Sequence, residues 1–113
     1  MRKLDYAGAI REAMAQEMER DSRVFVYGIG VPTFSKIFGT TKGLVEQFGP
    51  ERCFDTPISE DAMTGFGLGA AIRGLRPIHV HIRVDFMILA TNQLLNMVSN
   101  YIYSTGGSSR CRW

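Results

Sequence analysis

Val24-Phe25-Val26-Tyr27 carries no charged side chain and stops at Gly28. A strand that is apolar on both faces has to be covered on both, as in a parallel sheet between helices, whereas an antiparallel sheet with one wet face alternates. The residues ahead of it fit that frame. Ala7, Ile10, Met14 and Met18 recur at three- and four-residue spacing, with Arg11, Glu12, Glu17 and Arg20 on the other side, which predicts an amphipathic helix with Asp5 as its N-cap. Helix followed by buried strand predicts an α/β layered fold. At 113 residues, 45% hydrophobic and 21% charged, the chain has the profile of one globular domain, too small for two and for a deep site enclosing several substrates.

Downstream, residues 30–43 hold Pro32 and several threonines and glycines and predict a loop, followed by a short helix over 42–48 that Gly49-Pro50 stops. Leu44 and Phe48 would face the core. Arg52-Cys53-Phe54-Asp55 is a second short strand, and Thr56-Pro57-Ile58-Ser59 turns from it into a helix capped by Ser59. Glu60 and Asp61 open that helix, where acids suit its positive end. Gly65, Gly67 and Gly69 follow on alternate positions; each weakens a helix by about 1 kcal/mol, so the pattern predicts very close packing against a neighbour. After the stop at Arg73-Gly74-Leu75-Arg76-Pro77, Ile78-His79-Val80-His81-Ile82 alternates as a third strand, with His79, His81 and Arg83 on the face opposite the aliphatic residues. Asp85 then caps a last helix over 86–103, apolar on nearly every side except for a stripe of Asn92, Asn96 and Asn100. Such a helix predicts burial between two surfaces, as at a subunit interface.

Several function classes recede on composition. The 13 Lys and Arg against 11 Asp and Glu are scattered, with no basic footprint for nucleic acid or acidic lipid. Cys53 and Cys111 lack CxxC or Cys/His spacing, the pattern of reduced thiols in a cytosolic protein. The longest apolar run is five residues, 86–90, against about 20 for a membrane helix, and charges interrupt the N-terminal stretch where a signal peptide would be apolar. A soluble cytoplasmic protein is expected. Gly65-Phe66-Gly67-Leu68-Gly69-Ala70 matches GxGxx[GA], but helix-capping residues precede it where a dinucleotide fingerprint needs a strand. Gly28-Ile29-Gly30 follows a strand and lacks the third glycine. His79 and His81 are spaced to chelate zinc, yet no other histidine exists to serve as a third ligand, so they read as polar residues on one strand face and no metal site is expected.

Glu60 follows the second strand, at the carboxyl-end crevice where open α/β sheets hold ligands. A partly desolvated glutamate there can pass a proton to a bound heterocycle; the plainer alternative is a first-turn acid on the helix dipole. Asp55-Thr56-Pro57-Ile58-Ser59-Glu60, Thr64-Gly65, Gly69-Ala70-Ala71, Gly74-Leu75-Arg76-Pro77, Asp85-Phe86, Asn92-Gln93 and Tyr103-Ser104-Thr105-Gly106-Gly107 together resemble the β subunits of 2-oxo acid dehydrogenases, thiamine-diphosphate enzymes of the transketolase-like group. The resemblance runs from about Leu4 to Gly107.

The resemblance implies a three-layer α/β/α unit with a mostly parallel sheet, part of a transketolase-like pyrimidine-binding domain over residues 1–107, with an unrelated tail over 108–113. It implies that Glu60 hydrogen-bonds a pyrimidine nitrogen of thiamine diphosphate and promotes the imino tautomer that removes the thiazolium proton. Phe86 matches the aromatic residue that stacks on the aminopyrimidine, and Ile82 is counted with it among the cofactor-binding residues. Where the family usually carries paired acids after the first strand, this chain has Ile29-Gly30. The diphosphate and magnesium motif belongs to the family's α subunit. The expectation is therefore a fragment of a β subunit, lending its glutamate to an oxidative decarboxylase site shared with an α subunit, inactive alone and self-associating. The alternative is a non-catalytic remnant, a small oligomeric α/β protein that keeps only the fold.

Overall fold

The computed structural model describes residues 3–33 and 38–107. Helix α1 (Tyr6–Arg20) is followed by β1 (Val24–Tyr27), α2 (Leu44–Phe48), β2 (Cys53–Phe54), α3 (Glu60–Ile72) and β3 (Arg76–His79). A 3-10 segment (Val84–Ala90), a π-helical segment (Gln93–Val98) and a short α4 (Tyr101–Ser104) complete the order. Asp5 caps α1 as its position predicts, its carboxylate accepting from the Gly8 amide.

All strand pairs are parallel, in the order β2-β1-β3, with Val26 opposite Cys53 on one side and Ile78 on the other. All four residues of β1 are buried, the strand being paired on both edges and covered by helices on both faces. The period-2 alternation divides the core into two faces. Val24, Val26 and Cys53 pack with Met14 and Met18 of α1 and Leu44 of α2, joined by half-buried Ile78, Val80 and Ile82. Phe25, Tyr27 and Phe54 face the other way against Phe66 of α3; Phe25 stacks on Phe54 at 5.8 Å and Tyr27 meets Phe66 edge-on at 5.5 Å. Helices on both faces of a parallel sheet give the expected three layers. Arg52 fastens them at the amino end of β2, its guanidinium donating to the carbonyls of Met18, Asp21 and Val24.

The structure corrects the sequence reading at several points. β3 spans Arg76–His79 instead of 78–82, because its length is set by the ladder on β1: the Arg76 amide donates to Arg23 and the Val80 amide to Tyr27, where β1 ends. Pro77 is tolerated because the donors toward β1 are its neighbours' amides, so its missing N–H falls on the side away from β1. Ser59 occupies the N-cap position of α3 but its side chain makes no capping bond. Of the alternating glycines, close packing explains Gly65, where a Cβ would lie 3.3 Å from the Gln93 side chain, but not Gly69, where one would meet open space. The continuous helix over 86–103 is broken into three pieces, and Asp85 does not cap it but pairs with Arg83. Thr91, Ser99 and Asn100 hydrogen-bond nearby backbone carbonyls, competing with the regular ladder. The expected tail over 108–113, with Cys111, and part of the 30–43 loop lie outside the described residues.

Candidate functional site

The carboxyl ends of the three strands open onto one cleft. β1 contributes Ile29 just beyond its end, the loop after β2 contributes Thr56, Pro57 and Ser59, and the chain beyond β3 contributes His81 and Ile82. Glu60 enters as the first residue of α3 and Phe86 from the 3-10 segment. The three residues singled out for cofactor binding, Glu60, Phe86 and Ile82, are all half-buried and line this same cleft. This is the crevice at which open parallel sheets take ligands.

Backbone geometry holds the cleft in shape. Gly28 has φ +148°, and a Cβ on it would sit 2.2 Å from the Val80 carbonyl oxygen, so the crossing of β1's end with the chain leaving β3 admits only glycine. Asp55 ties two of the loops together, its Oδ1 accepting from the amides of Gly30 at 2.7 Å and Thr56 at 2.9 Å. Beneath the site the Tyr27 hydroxyl donates to the Met63 carbonyl, and burial pushes the phenol's pKa well above its ordinary value. The Arg83 guanidinium carbon stands over the Phe86 ring, 5.3 Å from its centre.

The polar side chains are the Glu60 carboxyl, two imidazoles and the hydroxyls of Ser59 and Thr56. Thr56 Oγ1 is buried with no hydrogen-bond partner, the condition of a group kept for a ligand or water. His79 stacks on Tyr27 at 4.5 Å, with its Nδ1 3.3 Å from Thr64 Oγ1, and burial pushes its pKa down to about 4. Burial also lowers His81, opposed by the negative charge of Glu60. Among the described residues no group of three or more His, Cys, Asp or Glu is placed to hold a metal ion. The cleft as folded measures about 10 Å³, the room of a single water.

The two histidines and Thr56 are the members that sequence reasoning did not place. Alternation put both imidazoles on one face of a strand, but it could not show that this face ends in the crevice. The available signal was their position at the carboxyl end of a parallel strand. No pattern marks Thr56 Oγ1 as unpartnered.

Residues 2–107 match the family model of the transketolase pyrimidine-binding domain. Over 108 residues the chain is 44% identical to 2-oxoisovalerate dehydrogenase subunit beta of Bacillus subtilis, covering 96% of this chain and 33% of that protein. It is 43% identical over 103 residues to the pyruvate dehydrogenase E1 component subunit beta of Rickettsia bellii, covering 91% of this chain and 32% of the relative. A chloroplastic pyruvate dehydrogenase E1 component subunit beta-4 of Oryza sativa is 43% identical over 99 residues, covering 88% of this chain and 25% of its own length. The chain thus spans a third or less of these curated relatives. With parallel strands between helices and a carboxyl-end cleft in the matched region, the chain belongs to the transketolase pyrimidine-binding domain family.

Proposed function

We propose that this chain is the pyrimidine-binding part of a thiamine-diphosphate-dependent 2-oxo acid dehydrogenase β subunit, contributing Glu60 to an oxidative decarboxylase site shared with an α subunit. The observation that carries this reading is that Glu60, at the start of α3, meets Ile82 and Phe86, from the chain beyond β3, on one cleft. Membership of the family and relatives named as dehydrogenase β subunits support it.

The residues suit a flat, weakly basic ring. Glu60 presents a carboxyl group able to share a proton with a ring nitrogen, Phe86 and Ile82 offer apolar surface, and the partnerless Thr56 hydroxyl can donate or accept. When bound, thiamine diphosphate supplies the electron sink for decarboxylation of a 2-oxo acid. Phe86 is half-buried on a 3-10 segment, a less stable support than a regular helix, so its ring can adjust to a ligand. The diphosphate and its magnesium are assigned to the α-type partner, which leaves this chain half a site and no turnover of its own. The exposed apolar side chains between Val84 and Tyr103 go with self-association or with docking to that partner.

Titration calorimetry with thiamine diphosphate and magnesium, with and without an α-type partner, tests the reading. Binding in the presence of the partner that Glu60→Ala abolishes is the expected result. Binding indifferent to that substitution overturns the role of Glu60, and turnover of pyruvate by the chain alone overturns the half-site. The small volume of the cleft favours one second reading, an oligomeric α/β protein that retains only the fold; absence of binding in both conditions is its signature.

A further inference from the structure

Two imidazoles line the cleft beside Glu60, and they are the only histidines in the chain. Their roles are separable. Thr64 Oγ1 is buried and gives its one proton to the Glu60 carbonyl at 2.8 Å, so in its 3.3 Å contact with His79 Nδ1 the ring must be the donor. That assigns the His79 proton to Nδ1 and leaves Nε2 with a lone pair. Stacked on Tyr27 at 10° between planes and tied to Thr64, His79 is a fixed neutral wall. The His81 ring lies 4.2 Å from it, tilted by 45°, on the same cleft as Glu60.

The charged surroundings of His81 are sparse. α3 presents Glu60, whose charge acts on His81, and β3 presents His79. In the turn ahead, Arg83 and Asp85 are paired with each other at 2.6 Å. Asp55, after β2, is held by the Gly30 and Thr56 amides, and Tyr27 of β1 by the Met63 carbonyl. From α1, Ile10 and Met14 face this stretch of chain. Glu60 is thus the anion with which a protonated His81 would pair.

We propose that His81 is a positioning residue for Glu60: neutral, it leaves the carboxyl free for a ring nitrogen, and protonated, it draws the carboxylate into an ion pair across the cleft and withdraws it from the ligand. This rests on the proposed role of Glu60 in binding the pyrimidine. The consequence is a site that engages its ligand at neutral pH and releases it on mild acidification. Because His79 stays neutral there, the release belongs to one imidazole.

Proton NMR of the imidazoles tests the pairing without any cofactor, the two residues being assigned with His79→Gln and His81→Gln. Replacing Glu60 by Gln is expected to lower the titration midpoint of His81 further, since the charge that supports its protonated form is gone; an unchanged midpoint overturns the proposal. Should Glu60→Gln lose spectral dispersion, the Glu60 carboxyl carbon of the wild type decides: a step at the His81 midpoint supports the pair and its absence overturns it. In calorimetry with thiamine diphosphate, magnesium and the α-type partner, affinity is expected to fall by up to about tenfold per pH unit below that midpoint. His81→Gln is expected to remove this fall; its persistence there overturns the proposal. If binding is indifferent to Glu60→Gln while the His81 midpoint responds, the proposed function of Glu60 fails and the pair stands.

Discussion

β1 and the stretch from Val84 to Tyr103 are both strongly apolar, and the fold treats them oppositely. Val26 and Tyr27 have no exposed surface, whereas Val84 is 78% exposed, Ile88 70% and Leu95 61%. β1 has a hydrogen-bonded strand on each edge and helices over each face. The later stretch packs chiefly on α3, and without further neighbours it runs through 3-10 and π geometry. Apolar character is a demand for burial that is met only where a complementary surface exists, and in proteins helical regularity follows mainly from packing.

The comparison can be broken most severely at its tightest point. Gly28→Ala forces a Cβ to 2.2 Å from the Val80 carbonyl at a φ that side chains avoid, so urea unfolding is expected to show a loss of about 4 kcal/mol or more, a large part of a typical domain's stability. A wild-type-like midpoint would mean that the β1–β3 crossing relaxes easily. Next in size is a matched pair of truncations. Met18→Ala removes a side chain that is 1% exposed and should cost about 2–5 kcal/mol, while Leu95→Ala should stay within about 0.5 kcal/mol in the monomer. Equal costs for the two truncations would abolish the contrast.

A loss smaller than that of Met18→Ala is set by pH. His79 takes up a proton near pH 6.5 when unfolded and only near 4 when folded, so between these values the unfolded chain holds the extra proton. Its stabilising contribution is therefore full above about pH 6.5 and lost as pH falls toward 4, by roughly 1–3 kcal/mol after allowance for partial solvation. Urea midpoints at pH 7 and 4.5 should converge in His79→Gln relative to the wild type. An acid sensitivity unaltered by the substitution would place its origin elsewhere, with His81 the next residue to vary.

Local signals carried α1, its Asp5 cap and the doubly buried β1, because each rests on side-chain periodicity or a cap that acts over a few residues; α3 starts at Glu60 as expected, though without the Ser59 capping bond. The resemblance pointed to Glu60, Phe86 and Ile82 as companions, and the fold brings them to one cleft. The limits of β3 were not legible, since a strand ends where its partner's ladder ends and β1 ends at Tyr27. Nor was the break in the last helix, because Asn100 of the polar stripe, with Thr91 and Ser99, also competes for backbone carbonyls.

By itself the sequence determined the layers: a strand apolar on both faces, between a striped helix and a glycine-bearing one, has few ways to bury itself other than inside a parallel α/β sandwich. Only the tertiary structure decided which polar groups share the crevice. Thr56 without a partner, His79 neutral against Tyr27 and His81 beside Glu60 are products of chain segments distant in sequence meeting at the strand ends. Desolvation and charge proximity depend on distances between elements, and no residue spacing along one chain encodes them.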